Sequence, residues 1–121
     1  MKKTIKIGNK EFLMSASAYT PFKYKNDTGR TLIKDLMEIG KRYEEIKDLD
    51  IVEQYDEIDS FIMLALRIAY IMSSESKGFI GSFDEFLMQI DDFLSDANWV
   101  SEVVELATSP ISGNLQNIQR N

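Results

Sequence analysis

"TIKIGNKEFLMSASAYTPFKYKNDTGRTLIKDL", from Thr4 to Leu36, is the stretch whose reading decides the fold. Ile5 and Ile7 alternate with Lys6, and Phe12 and Met14 alternate with Leu13, a period of two that belongs to strands. Gly8-Asn9 between the two runs tolerates positive φ and predicts a two-residue hairpin turn. After Ser15 the pattern changes. Thr20 reads as an N-cap and Pro21 as the first helical residue, because the N–H that proline lacks is one a helix start leaves unpaired anyway. Gly29 is placed to end this short helix in a left-handed conformation. The stretch is therefore a strand-to-helix corner followed by a helix-to-helix corner. An isolated hairpin is marginal in water, so the remaining chain must cover it.

Working outward, helical spacing takes over. Leu32, Leu36, Ile39, Tyr43 and Ile46 form one apolar stripe of a helix over about 31–47, with Lys34, Asp35, Glu38, Lys41 and Arg42 on its other faces. "KDLDIVEQ" reads as an acidic connection. A third helix over about 53–74 is apolar nearly all round in its second half, as a central helix must be. Gly78 and Gly81 frame a loop. "SFDEFLMQIDDFL" opens with a capping box, Ser82 with Glu85, and predicts a helix whose apolar face runs through Phe83, Phe86, Leu87, Ile90 and Phe93 or Leu94. Ser95 or Asp96 would cap a last helix carrying Trp99, Val103 and Leu106, which Ser109-Pro110 stops. The fold class predicted is α+β: a short N-terminal β-hairpin packed on a mainly α-helical bundle. Residues 1–108 read as one domain and 109–121 as a flexible polar tail.

Composition narrows the function. The 121 residues suffice for one modest core, and 44% hydrophobic with 28% charged residues describes a folding chain. With no cysteine there is no disulfide, thiol nucleophile or thiolate metal site. With no histidine, the usual general base at neutral pH and the commonest metal ligand are missing. The acidic run Glu44, Glu45, Asp48, Asp50, Glu53, Asp56, Glu57, Asp59 lacks the glycine and ligand spacing of a calcium loop. No phosphate-binding loop occurs. No catalytic residue, cofactor or metal ligand is assigned, and a non-enzymatic protein is expected. The start has no apolar core of signal-peptide length, and "FIMLALRIAYIM" (61–72) contains Arg67 and is too short to span a bilayer.

The net charge of −6 is uneven: residues 1–42 hold ten Lys and Arg against four Asp and Glu, and residues 43–121 hold four against 16. Such polarity favours weak head-to-tail self-association, or it marks two solvated faces. Lys2, Lys3, Lys6, Lys10, Lys23 and Lys25 with Tyr19, Phe22 and Tyr24 mimic a nucleic-acid patch, which the overall acidity opposes. Six methionines suit either plain core packing or adaptable grooves that receive a partner helix. Phe22, Tyr24, Met37, Phe83, Phe86 and Trp99 are the candidate partner contacts.

The corner also carries a resemblance. Ala18, Thr20, Pro21, Tyr24, Lys25, Gly29, Arg30, Ile33, Asp35 and Leu36, after the hairpin "IKIGNKEF", resemble the pattern of the tail assembly chaperones of long-tailed bacteriophages and prophages of Gram-positive hosts. "AYIM" (69–72), "FDEFL" (83–87) and "NLQ" (114–116) are similar too. Phe86 stands where members often have tryptophan, and the chain ends "NIQRN" where they are often basic. Thr20, Pro21, Gly29, Arg30 and Asp35 form the shared structural motif. The resemblance implies a non-catalytic protein of the infected bacterial cytoplasm, absent from the mature virion. Such a protein binds the tape measure protein, keeps it soluble and helps recruit tail tube subunits. The reading from another class is a small acidic regulatory inhibitor, acting by protein binding or nucleic-acid mimicry.

Overall fold

The computed structural model describes residues 1–46 and 51–111, with residues 46 and 51–60 described by their backbone alone. Within them the chain is α+β, as its periodicities predict. Strands β1 (Lys2–Ile7) and β2 (Lys10–Ser15) pair antiparallel, with Ile7 opposite Lys10 and Lys2 opposite Ser15. Gly8 takes φ +63 and Asn9 stays at negative φ, the arrangement of a type II′ turn. Ile5, Ile7, Phe12 and Met14 all point into the core.

Five helices follow: α1 (Thr20–Thr28), α2 (Leu32–Ile46), α3 (Ile51–Glu75), α4 (Phe83–Met88) and α5 (Asn98–Thr108). α3 is central and touches β2 and all four other helices, while α5 also packs under β1. Phe61, Ala65, Ile68, Ala69 and Met72 of α3 are buried, as an all-round apolar helix requires. Phe86 lies at the centre of an aromatic cluster, its ring 4.7 Å from Phe12, 5.4 Å from Phe79 and 5.6 Å from Tyr70. No helix among the described residues is long and apolar enough to cross a membrane.

Three expectations are corrected. Thr20 is the first helical residue rather than the N-cap; Tyr19 precedes the helix and gives no side-chain cap. The Thr20 hydroxyl instead accepts the Ser17 amide hydrogen at 2.8 Å and donates to Glu75 at 2.7 Å. α4 stops at Met88, six residues short of Leu94. Its continuation is taken by competing local bonds: Asp92 accepts the amide hydrogens of Leu94 and Ser95, and Asp91 turns to the hairpin. α5 has Ala97 at its N-cap and no side-chain cap, in place of the Ser95 or Asp96 cap expected; Asp96 accepts the Asn98 amide hydrogen at 3.0 Å, and Ser95 is bound to Asp92. The capping box of Ser82 and Glu85 is formed in both directions. The expected connection at 47–50 and the tail from residue 112 lie outside the described residues.

The hairpin is fixed to the helices at separate points. Asp91 accepts the backbone and side-chain N–H groups of Asn9, 82 residues earlier, at 3.0 and 2.5 Å. The Ser76 hydroxyl donates to the Leu13 carbonyl. Lys3 pairs with Glu102 of α5 at 3.2 Å. Glu75 receives Ser17 and Thr20 just past the end of β2. No local sequence signal marks these long-range partners, which is why periodicity alone missed them.

Candidate partner-binding surfaces

The Thr20–Asp35 corner is a packed joint. Gly29 takes φ 74 and its N–H closes onto the Lys25 carbonyl at 2.8 Å, the left-handed cap expected of it. Arg30 then reaches Asp35 with two parallel bonds, Nε to Oδ2 at 2.8 Å and Nη2 to Oδ1 at 2.9 Å. The Tyr24 hydroxyl donates to the same carboxylate from α1. Asp35 is 3% exposed, so its placement on an outer face is corrected: it shares the buried side of α2 with Leu32, Leu36 and Ile39. Burial raises the Asp35 pKa, but the bonds from Arg30 and Tyr24 outweigh it and hold the carboxyl below its usual range. Burial, then the bond to Asp35, drives the Tyr24 hydroxyl well above its ordinary value. Among the described residues no buried side-chain polar atom lacks a partner.

The six candidate contacts divide sharply. Phe22 on α1 and Met37 on α2 are 71% and 70% exposed. Tyr24, Phe86 and Trp99 are buried, and this corrects their reading as contacts: each fills the core and has no surface to offer a partner. Trp99 donates its indole N–H to the Phe93 carbonyl at 2.9 Å, which satisfies its one polar group. Phe83 is half-buried, edge-on to Tyr70 with the Arg67 guanidinium 5.0 Å above its ring. Tyr19, just before α1, is exposed one turn before Phe22, and Ile33 one turn before Met37, so the start of α1 and the adjoining α2 each present an apolar pair to solvent. Sequence reasoning missed Tyr19 and Ile33. Their spacing from Phe22 and Met37 was the available signal.

Several of the lysines that mimic a nucleic-acid patch in the sequence have local partners. Lys23 pairs with Asp27, Lys25 donates to the Gly29 carbonyl, and Lys3 pairs with Glu102. Around α5 the surface is recessed instead. A groove of about 750 Å³ runs between Met1–Lys3 and the α5 flank of Ser101, Val104, Glu105 and Thr108. A smaller apolar recess of about 110 Å³ lies across α5, between Val100, Val104 and the Ile39–Tyr43 segment of α2. Among the described residues no group of three or more acidic side chains is arranged to hold a metal ion. The arrangement offers contact surface: exposed apolar pairs on two helices and an open groove beside a strand. No family model, curated protein or solved structure matches this chain.

Proposed function

We propose that this protein is a tail assembly chaperone of a long-tailed bacteriophage, acting in the host cytoplasm and left out of the finished virion. It binds the tape measure protein, keeps it soluble and helps bring tail tube subunits to it. One observation carries the binding role: Phe22 and Met37 stand about 70% exposed on adjoining helices, outside the buried core. A long amphipathic partner exposes apolar stripes that aggregate unless covered. Two short apolar pairs, one with an adaptable methionine, give weak contacts that can repeat along such a partner. The identity of that partner comes from the resemblance of the Ala18–Leu36 corner. The unequal charge of residues 1–42 and 43–121 supports weak self-association between copies lined up on it.

Co-expression with the tape measure protein of the same phage tests the reading. The tape measure protein should move into the soluble fraction and co-purify with this chain. Unchanged insolubility, with no co-purification at any salt concentration, overturns it.

A further inference from the structure

The free edge of β1 is built differently from that of β2. Met1 and Ala16 exchange hydrogen bonds in both directions, at 2.8 and 2.9 Å. In an antiparallel pair such bonded positions recur every second residue. Lys3·Met14, Ile5·Phe12 and Ile7·Lys10 are therefore the other bonded pairs in this register. Lys2, Thr4 and Lys6 turn their N–H and C=O groups away from β2, and among the described residues those groups have no partner. The opposite edge is blocked at its middle residue. The Leu13 carbonyl accepts the Ser76 hydroxyl, and Gly78 lies so near that a Cβ there would come within 2.2 Å of the same oxygen. A two-stranded sheet with one blocked edge and one open edge has a single place for another strand.

From this edge and the groove beside it we infer that β1 accepts an extended segment of a partner protein as a third strand, with acidic residues in its outward row and apolar residues in its inward row. The outward row would face Lys2, Thr4 and Lys6. All three side chains are exposed, and neither lysine forms an ion pair among the described residues. Opposite charges set directly across a strand pair attract, and like charges repel. The inward row would hang over the α5 flank, where Val104 gives apolar contact, Glu105 repels a carboxylate, and Lys3 is already paired with Glu102. The two rows therefore demand different chemistry, which selects one of the two faces of the incoming strand. A second copy of β1 does not fit: antiparallel pairing centred on Thr4 sets Lys2 against Lys6 twice. A third strand also carries the sheet past the two-stranded form that is marginal by itself.

The test uses the full chain and two synthetic peptides, one alternating glutamate with valine and one alternating lysine with valine. Amide hydrogen exchange followed by NMR is the readout. The glutamate peptide should protect the Lys2, Thr4 and Lys6 amides and bind about tenfold or more tightly than the lysine peptide. Thr4→Pro removes one outward N–H without touching the β1–β2 bonds and should abolish that protection. A glutamate peptide N-methylated on its edge-facing amides applies the same test to the unaltered protein, should Thr4→Pro fail to fold. Lys2→Glu/Lys6→Glu should reverse the preference between the peptides. Binding that leaves the three amides unprotected overturns the inference. No binding does so too, and reduces the lysines to a guard against edge pairing. Protection that appears without peptide and grows with protein concentration makes the occupant a second copy and overturns the acidic partner.

Discussion

The Tyr24 hydroxyl and the Asp35 carboxylate are hydrogen-bonded inside the joint between α1 and α2, and Arg30 closes over the pair from its exposed side. The Tyr24, Arg30 and Asp35 positions of the most specific run of the sequence thus encode a buried polar contact. Removing the acceptor leaves a buried hydroxyl and a guanidinium without it, so Asp35→Ala should cost about 2–4 kcal/mol in urea denaturation. Tyr24→Phe leaves the Arg30 pair intact and should cost about 1 kcal/mol. Equal losses for the two variants would contradict this account.

The same contact sets a pH window. The Asp35 pKa is lower folded than unfolded, so its contribution is complete above the ordinary carboxylate range and is lost as pH falls through the folded value. Glu85, bound by the Ser82 amide, and Asp91, bound by the Asn9 amide, act in the same sense. Tyr24 has the opposite sign: its raised pKa gives stability that is full below about pH 10 and fades as pH climbs toward the folded value. Melting temperature against pH should fall at both ends. Tyr24→Phe should flatten the alkaline limb and, because it also removes one of the two bonds that hold the Asp35 pKa down, weaken the acid limb in part, the Arg30 pair retaining the rest.

Three glycines should separate conformational cost from collision. At Gly29 a Cβ would meet nothing within 4 Å, but φ is +74, so Gly29→Ala should destabilise by about 1 kcal/mol through the backbone alone. At Gly40, inside α2, the space is also open and φ is not left-handed, so Gly40→Ala should stabilise by about 0.5–1 kcal/mol. At Gly8 a Cβ would meet the Asp92 carbonyl oxygen at 2.3 Å and φ is +63, so Gly8→Ala should exceed the Gly29→Ala loss. Chemical denaturation of the three variants checks the order.

Phe22→Glu/Met37→Glu should leave the melting temperature within about 1–2 °C of the parent, since exposed sites contribute little to stability. The same variant should lose the tape measure protein on co-purification. Phe86→Ala, in contrast, should cost about 3–5 kcal/mol, because it empties the centre of the aromatic cluster. Retained capture by the Phe22/Met37 variant would move the binding surface elsewhere.

Self-association should weaken as salt rises from about 0.05 to about 0.5 M, where the Debye length falls to a few ångströms. Capture of an apolar partner should persist across the same series, since burial of apolar surface is not screened. Sedimentation velocity and pull-down would read the two processes separately.

At three local features the residues disclosed the structure. The Ile5–Ile7 and Phe12–Met14 alternation, the Ser82–Glu85 box and the Gly29 cap all act within a few residues, and all formed as read. Errors arose where a polar side chain chose a distant partner, or where Asp92 bonded the local amides of Leu94 and Ser95 in place of helix continuation. Thr20 went to Glu75, and Asp91 left its helix for Asn9. Asp35 was legible in principle, since Leu32, Asp35, Leu36 and Ile39 share one helical side and Arg30 stands five residues away. Of the candidate contacts, Phe22 and Met37 could not be told from Tyr24 and Trp99 by residue type, because aromatic and methionine side chains serve cores and surfaces alike.

The attachment of Asn9 to Asp91 has a consequence for the order of events on the ribosome. The hairpin is synthesised early, yet the residues that clamp its turn, bond the edge of β2 and pair with Lys3 arrive 76–102 residues into the chain. Until then two strands with apolar sides must wait uncovered, at synthesis rates of about 5–20 residues per second. Closure is a late, long-range step with a correspondingly large loop entropy, and this chain should acquire its protease resistance abruptly, only once α5 has emerged.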